Sequence, residues 1–142
     1  MVALWRAHRR RFEAQCGTPS KAAQSQKLRA AFEKHQTETD GQVERLEQVF
    51  ASIGQTARGK TCDAIMGILD EGKEIMSEYK GMPAHDAGLL AAAQAVEHYE
   101  ISRYGTLRTW ANELGLKDAV KLLDATLKEK KATDSTLSAL AE

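Results

Sequence analysis

The sequence predicts an all-α antiparallel helical bundle, on three observations. Alanine, leucine, glutamate, lysine and glutamine dominate the chain, and β-branched residues are scattered. Such residues favour helix when summed over a segment. Apolar residues recur at helical spacing in four long stretches. Glycine and proline cluster between those stretches rather than within them. The 142 residues make one domain with a modest core.

The first stretch runs from about Ser25 to Ser52, where Leu28, Phe32, Leu46 and Val49 fall on one stripe. His35, Thr39 and Gln42 lie on the same line. Gly54 and Gly59 then mark a loop. A second helix is expected over Thr61–Tyr79, with Cys62, Ile65, Met66, Leu69, Gly72 and Met76 inward, and Gly81 and Pro83 closing it. The third is expected from Ala84 to Leu114, carrying Leu89, Ala93, Val96, Ile101, Leu107 and Ala111 on its apolar side. Glu97, Glu100 and Tyr104 share that side, Gly115 caps the end, and Trp110 is placed against the last helix. The last helix starts near Lys117, with Leu123, Leu127, Leu137 and Ala141 in register and Lys130 and Asp134 among them. Four such helices joined by short loops form an antiparallel bundle.

The informative residues are the polar ones on stripes that should be apolar. A buried carboxylate costs several kcal/mol unless it is paired, protonated or metal-bound. Glu97 and Glu100 stand one turn apart, as do His35 and Glu38, and Asp134 sits inward on the last helix. Ligands at i, i+3 on facing helices are how bundles assemble two-metal centres, because one turn separates side chains by about the spacing two bridged metals need. The plainer alternatives stand beside this. A helix rotated by one position makes Glu97–His98 and Glu100–Arg103 surface pairs. His35 is equally readable as a core histidine bonded to Thr39 or to a glutamate. Tyr99 and Tyr104 flank the carboxylates and read as packing residues with satisfied hydroxyls, and Met66, Met76 and Met82 as packing.

Composition excludes several classes. No apolar run approaches a membrane span, and the opening residues lack a secretory signal's apolar stretch, so a cytoplasmic protein is expected. Cys16 and Cys62 are far apart, in no metal-like pair, and read as free thiols. There is no Gly-rich phosphate loop. Net charge is zero, yet residues 1–21 hold Arg6, Arg9, Arg10, Arg11 and Lys21 against Glu13 alone. The first 21 residues therefore read as an atypical basic segment ahead of a bundle domain at 22–142.

LRAAFEKHQTETDGQVERLEQVF at 28–50, GKTCDAI at 59–65, AAAQAVEHYEISRYGTLRTWANELG at 91–115 and LLDATLKEKKATDSTLSALAE at 122–142 together resemble the YciE/YciF family of ferritin-like bacterial stress proteins. The resemblance implies a ferritin-like bundle, a homodimer, and a di-iron carboxylate centre of the rubrerythrin type with ferroxidase or peroxide-related chemistry. His35 and Glu38 match the family's HxxET segment, Glu97 and Glu100 its EHYE segment, and Asp134 the aspartate of its EExxxD segment. On that resemblance, His35, Glu38, Glu97, Glu100 and Asp134 are the metal residues. Two departures follow. Lys130 stands where the family has an inward glutamate, and nothing in residues 1–21 resembles the family's first helix, so that helix is replaced or missing.

Three readings of the basic segment stay open: a frame error or misplaced start, a basic arm for nucleic acid or an anionic surface, or a substitute helix with Leu4, Trp5, His8 and Phe12 inward. In the last case Glu13 stands in for the lost ligand. Two functions also stay open. One is a di-iron stress protein. The other is a non-catalytic helical stress or interaction protein whose pocket holds no metal, with Lys130 salt-bridged to Glu97 or Glu100.

Overall fold

The computed structural model describes residues 19–57 and 62–142. The readings of Leu4, Trp5, His8, Phe12, Glu13, Cys16, Gly59 and Thr61 fall outside those residues. The described residues form a one-turn helix α1 (Pro19–Ala22) and four long helices, α2 (Gln26–Ser52), α3 (Asp63–Glu78), α4 (His85–Glu113) and α5 (Lys117–Ala141), with no strand among them. Each long helix lies within two residues of its expected limits. The added element is α1, whose proline occupies the first helical position, where no amide hydrogen is needed.

Local chemistry sets the helix ends. Ser25 caps α2, its side chain accepting from the Leu28 amide at 3.4 Å. Asp86, in the first turn of α4, accepts from the amides of Gln24 and Ser25 at 2.8 and 2.6 Å and ties the start of α2 to the start of α4. Gly115 follows α4 at φ 70°, a left-handed conformation that costs glycine little.

That shared start makes α2 and α4 parallel. Cross-links at Arg45–Glu129 and Thr133–Glu38 make α5 antiparallel to α2, and Gln94–Ser138 makes it antiparallel to α4. Helix α5 packs on both α2 and α4, and α3 packs on α4. A Cβ on Gly72 would lie 3.4 Å from Ala92 Cβ, which shows how closely α3 approaches α4.

The core is split in two. At one end Val43, Leu46, Tyr104, Ala111, Ala119, Leu123 and Leu127 pack together. At the other, Ala23, Leu28, Phe32, Met76, Leu89, Leu90 and Leu137 do so. Between them, at the level of residues 35–42, 97–100 and 126–130, lies a polar layer containing the buried Thr39, Gln42, Glu97, Glu100, Thr126 and Lys130. The alternative in which α4 is rotated and its glutamates face solvent is thereby excluded.

Three expected packing positions are corrected. Met82 is 49% exposed, because it lies in the turn between α3 and α4 rather than on a helix face. Trp110 is 61% exposed, because α4 turns Ala111 into the core and its neighbour, about 100° around the helix, points out. Ala141 is exposed as the final helical residue. No helix among the described residues is long and apolar enough to cross a membrane.

Candidate functional site

The polar layer is built by three helices. Helical spacing on α4 sets Glu97 and Glu100 one turn apart on the buried side, 2% and 5% exposed. Helix α5 contributes Lys130, which is fully buried. Its Nζ lies 2.6 Å from Glu100 Oε2 and 3.6 Å from Glu97 Oε1. Helix α2 contributes His35, whose Nδ1 is 3.3 Å from Glu97 Oε1 and whose Nε2 is 3.4 Å from Thr39 Oγ1. The Thr39 hydroxyl donates to the His35 carbonyl at 2.8 Å, which fixes the threonine beside the ring. Both partners considered for His35 from sequence, Thr39 and a glutamate, are therefore present.

Electrostatics follow from burial. Loss of water pushes the Glu97 carboxyl up to about 7. The Lys130 ammonium pulls against that shift, and the charges of Glu100 and Asp134 push with it. Tyr104 borders the same layer. Burial raises its phenol beyond the ordinary range, and the Glu100 charge adds to the effect. Glu97 Oε2 is buried without a hydrogen-bond partner among the described residues.

The other two candidate ligands face elsewhere. Glu38 takes Lys34 Nζ at 3.3 Å and the Thr133 hydroxyl at 3.3 Å. Asp134 takes His98 Nε2 at 3.0 Å, with Gln94 Nε2 at 3.5 Å. The fold therefore gathers His35, Glu97 and Glu100 about Lys130, and ties Glu38 and Asp134 to partners on the flanks of the helix contacts.

A di-iron centre needs several carboxylate and imidazole ligands facing a shared open position. Two carboxylates and an imidazole converge, but the positive charge between them is supplied by an ammonium group of the chain. No group of three or more His, Cys, Asp or Glu among the described residues is disposed to hold a metal ion. Among the described residues, the donor set does not fit the centre.

Sequence reasoning missed a second polar cluster one turn away. Arg45 grips Glu129 with both guanidinium nitrogens, Nη1 lying 2.9 Å from Oε2, and it also donates to Thr126 Oγ1 at 2.8 Å. Gln42 adds a bond to Glu129 Oε2 at 3.1 Å. Burial pushes the Glu129 carboxyl up, but the bonds from Arg45 and Gln42 outweigh it and hold the group below the usual range. The inward position of Gln42 was the sequence signal. Its partner, 87 residues away, left none. Tyr99, by contrast, turns to α3, where its hydroxyl meets Cys62 Sγ at 2.8 Å and accepts from Arg103 Nε at 3.0 Å. The Tyr99 bond holds the Cys62 thiol below its ordinary range.

Comparison with known proteins places this architecture. A family described as a domain of unknown function, DUF892, matches residues 8–142, a span that begins inside the basic segment. Protein YciF of Escherichia coli (strain K12) is 45% identical over 123 residues, which are 86% of this chain and 74% of that one. The crystal structure of the E. coli stress protein YciF superposes with a TM-score of 0.85 at 41% identity, covering 93% of this chain and 84% of that chain. YcfI from Rhodopseudomonas palustris, whose suggested role is structural, superposes with a TM-score of 0.84 at 40% identity, covering 91% of this chain and 82% of that one.

Proposed function

This chain belongs to the DUF892 family, and from that premise we propose that it is a non-catalytic helical stress protein rather than a di-iron oxidoreductase. One observation carries the reading: every candidate ligand is engaged by a protein partner. His35 meets Glu97, Glu97 and Glu100 meet Lys130, Glu38 meets Thr133, and Asp134 meets His98. A di-iron site needs carboxylates whose remaining lone pairs face a shared open position. Here each of the four carboxylates turns at least one oxygen to an ammonium, hydroxyl or imidazole group of the chain. The suggested structural role of YcfI, 40% identical to this chain, points the same way.

The interior ion pair then serves the fold. An apolar layer would tolerate small slips of α5 along α4, whereas a buried lysine that must meet two glutamates admits one register. The product of this sequence is, on this reading, a bundle of fixed shape that works through its surface.

The test is elemental analysis of protein purified aerobically without chelator, with oxidation of added Fe(II) followed in parallel. The expected result is little or no metal, and Fe(II) oxidation at the rate of buffer alone. Near two irons per chain with accelerated oxidation would overturn the reading.

A further inference from the structure

Helix α4 has 29 residues and α3 has 16, so α3 covers only the first half of the face on which it lies. Ile75 lies against Gly88, Gly72 against Ala92, and Cys62, just before α3, against Tyr99. Beyond Tyr99 the same face continues through Arg103, Thr106, Trp110 and Glu113, at alternating steps of four and three residues, and all four are exposed. That is the spacing with which one helix meets another. Trp110 is 61% exposed, and Leu114, one turn beyond it, is 73% exposed. A large aromatic and a leucine held together in solvent mark a surface for a partner.

The polar members of the stripe set its direction. Arg103 Nε donates to the Tyr99 hydroxyl at 3.0 Å, and its guanidinium lies 5.2 Å from the centre of that ring, which fixes the cation on this face. Thr106 Oγ1 donates back to the Ser102 carbonyl at 2.9 Å, so its hydroxyl is satisfied within its own helix. Neither Arg103 nor Glu113 has an ion-pair partner among the described residues. The stripe therefore carries a positive charge at one end, an indole between, and a negative charge at the other. Turned about a two-fold axis level with residue 108, it matches itself. Arg103 then faces the partner's Glu113, and Thr106 faces the partner's Trp110. A parallel pairing would instead set arginine on arginine and glutamate on glutamate.

We infer that this stripe is a contact between two copies of the chain, made by the C-terminal halves of two α4 helices packed antiparallel. Trp110 anchors it, seated against the partner's Thr106 and within reach of the partner's Arg103. Two Arg103–Glu113 pairs close the ends and fix the direction. A second copy is the occupant the charges select, since each end of the stripe finds its complement on the same stripe reversed. The family resemblance implies a homodimer but names no face for it. This contact also deepens the reading above, on which it rests, that the bundle works through its surface.

The experiment is sedimentation equilibrium on the full chain over a wide concentration range, with circular dichroism as the control for folding. It compares the wild type, Trp110→Ala, Arg103→Glu, Glu113→Arg, and an equimolar mixture of the two charge variants. The wild type should dimerise, and Trp110→Ala should weaken the dimer by at least about tenfold. Each charge variant alone sets like charges at both ends and should sediment as a monomer. Their mixture should dimerise, because each altered charge meets its opposite on the other variant. A monomeric wild type overturns the inference. A dimer left intact by Trp110→Ala overturns it too, since the contact then lies on another face. A mixture that stays monomeric rejects the antiparallel pairing and with it the inference. If Arg103→Glu unsettles α3 through the lost Tyr99 bond, Trp110→Ala decides alone. None of these outcomes involves metal, so failure here leaves the metal-free reading to the iron analysis.

Discussion

Lys130 Nζ and Glu100 Oε2 lie 2.6 Å apart where α5 crosses α4, and neither side chain is more than 7% exposed. Removing one partner strands a charge away from water, whereas removing both leaves packing alone. We therefore expect Lys130→Met to cost about 3–5 kcal/mol, and Lys130→Met/Glu100→Met to recover at least half of that. Urea denaturation of the two variants checks it. A double variant as unstable as the single one would contradict the ion-pair account.

Glu97 gives the protein an unusual pH response. Its carboxyl titrates near 7 in the folded chain against a reference of 4.5. Between those values the folded state holds a proton that the unfolded state has released. That contribution is fully present below the reference value and is lost as pH rises through 7. A shift of this size corresponds to about 3 kcal/mol. The wild type should therefore lose stability between pH 5 and 8, and Glu97→Gln, which imitates the protonated group, should not. Parallel slopes for the two proteins in urea would refute the assignment.

The Arg45–Glu129 grip has the opposite pH sense. Glu129 lies below the usual carboxylate range when folded, so its contribution is present above that range and is lost on acidification. A double-mutant cycle of Arg45→Ala and Glu129→Ala should return a coupling of about 1–3 kcal/mol at pH 7. The coupling should shrink towards zero at pH 3. A coupling that survives at pH 3 would rule out a charge-assisted bond.

Asp86 holds the entry to α2 through the Gln24 and Ser25 amides. Asp86→Ala should cost about 1–2 kcal/mol and raise hydrogen exchange in the first turn of α2 ahead of the rest of that helix. Uniform exchange along α2 would show that the contact anchors nothing local.

Much of this was legible in the residues. The 3.6-residue period set Glu97, Glu100, His35 and Lys130 on inward faces, and burial confirms Glu97, Glu100 and Lys130 as core residues. The same period could not separate the centre of a contact from its flank. Glu38 and Asp134 share those inward sides, yet each is claimed by a neighbour at the edge, Thr133 and His98. Trp110 shows the same limit, since one step around α4 divides the core from solvent and apolar character alone does not say which side a tryptophan takes. The Arg45–Glu129 pair was illegible because its partners lie 84 residues apart and nothing local marks either one.

The uneven reach of these contacts bears on the order of assembly. Bonds between α4 and α5 close loops of 40 and 44 residues, while those between α2 and α5 close loops of 81, 84, 87 and 95. Shorter loops cost less entropy to close, so the α4–α5 hairpin, with Lys130 already facing Glu100, is favoured to form before α2 docks on it. Substitutions at the Lys130–Glu100 pair should then slow folding, and Arg45→Ala should chiefly hasten unfolding. The chain thus sets its interior charge early, in its C-terminal half, and the helix that brings His35 arrives at a surface already electrically defined.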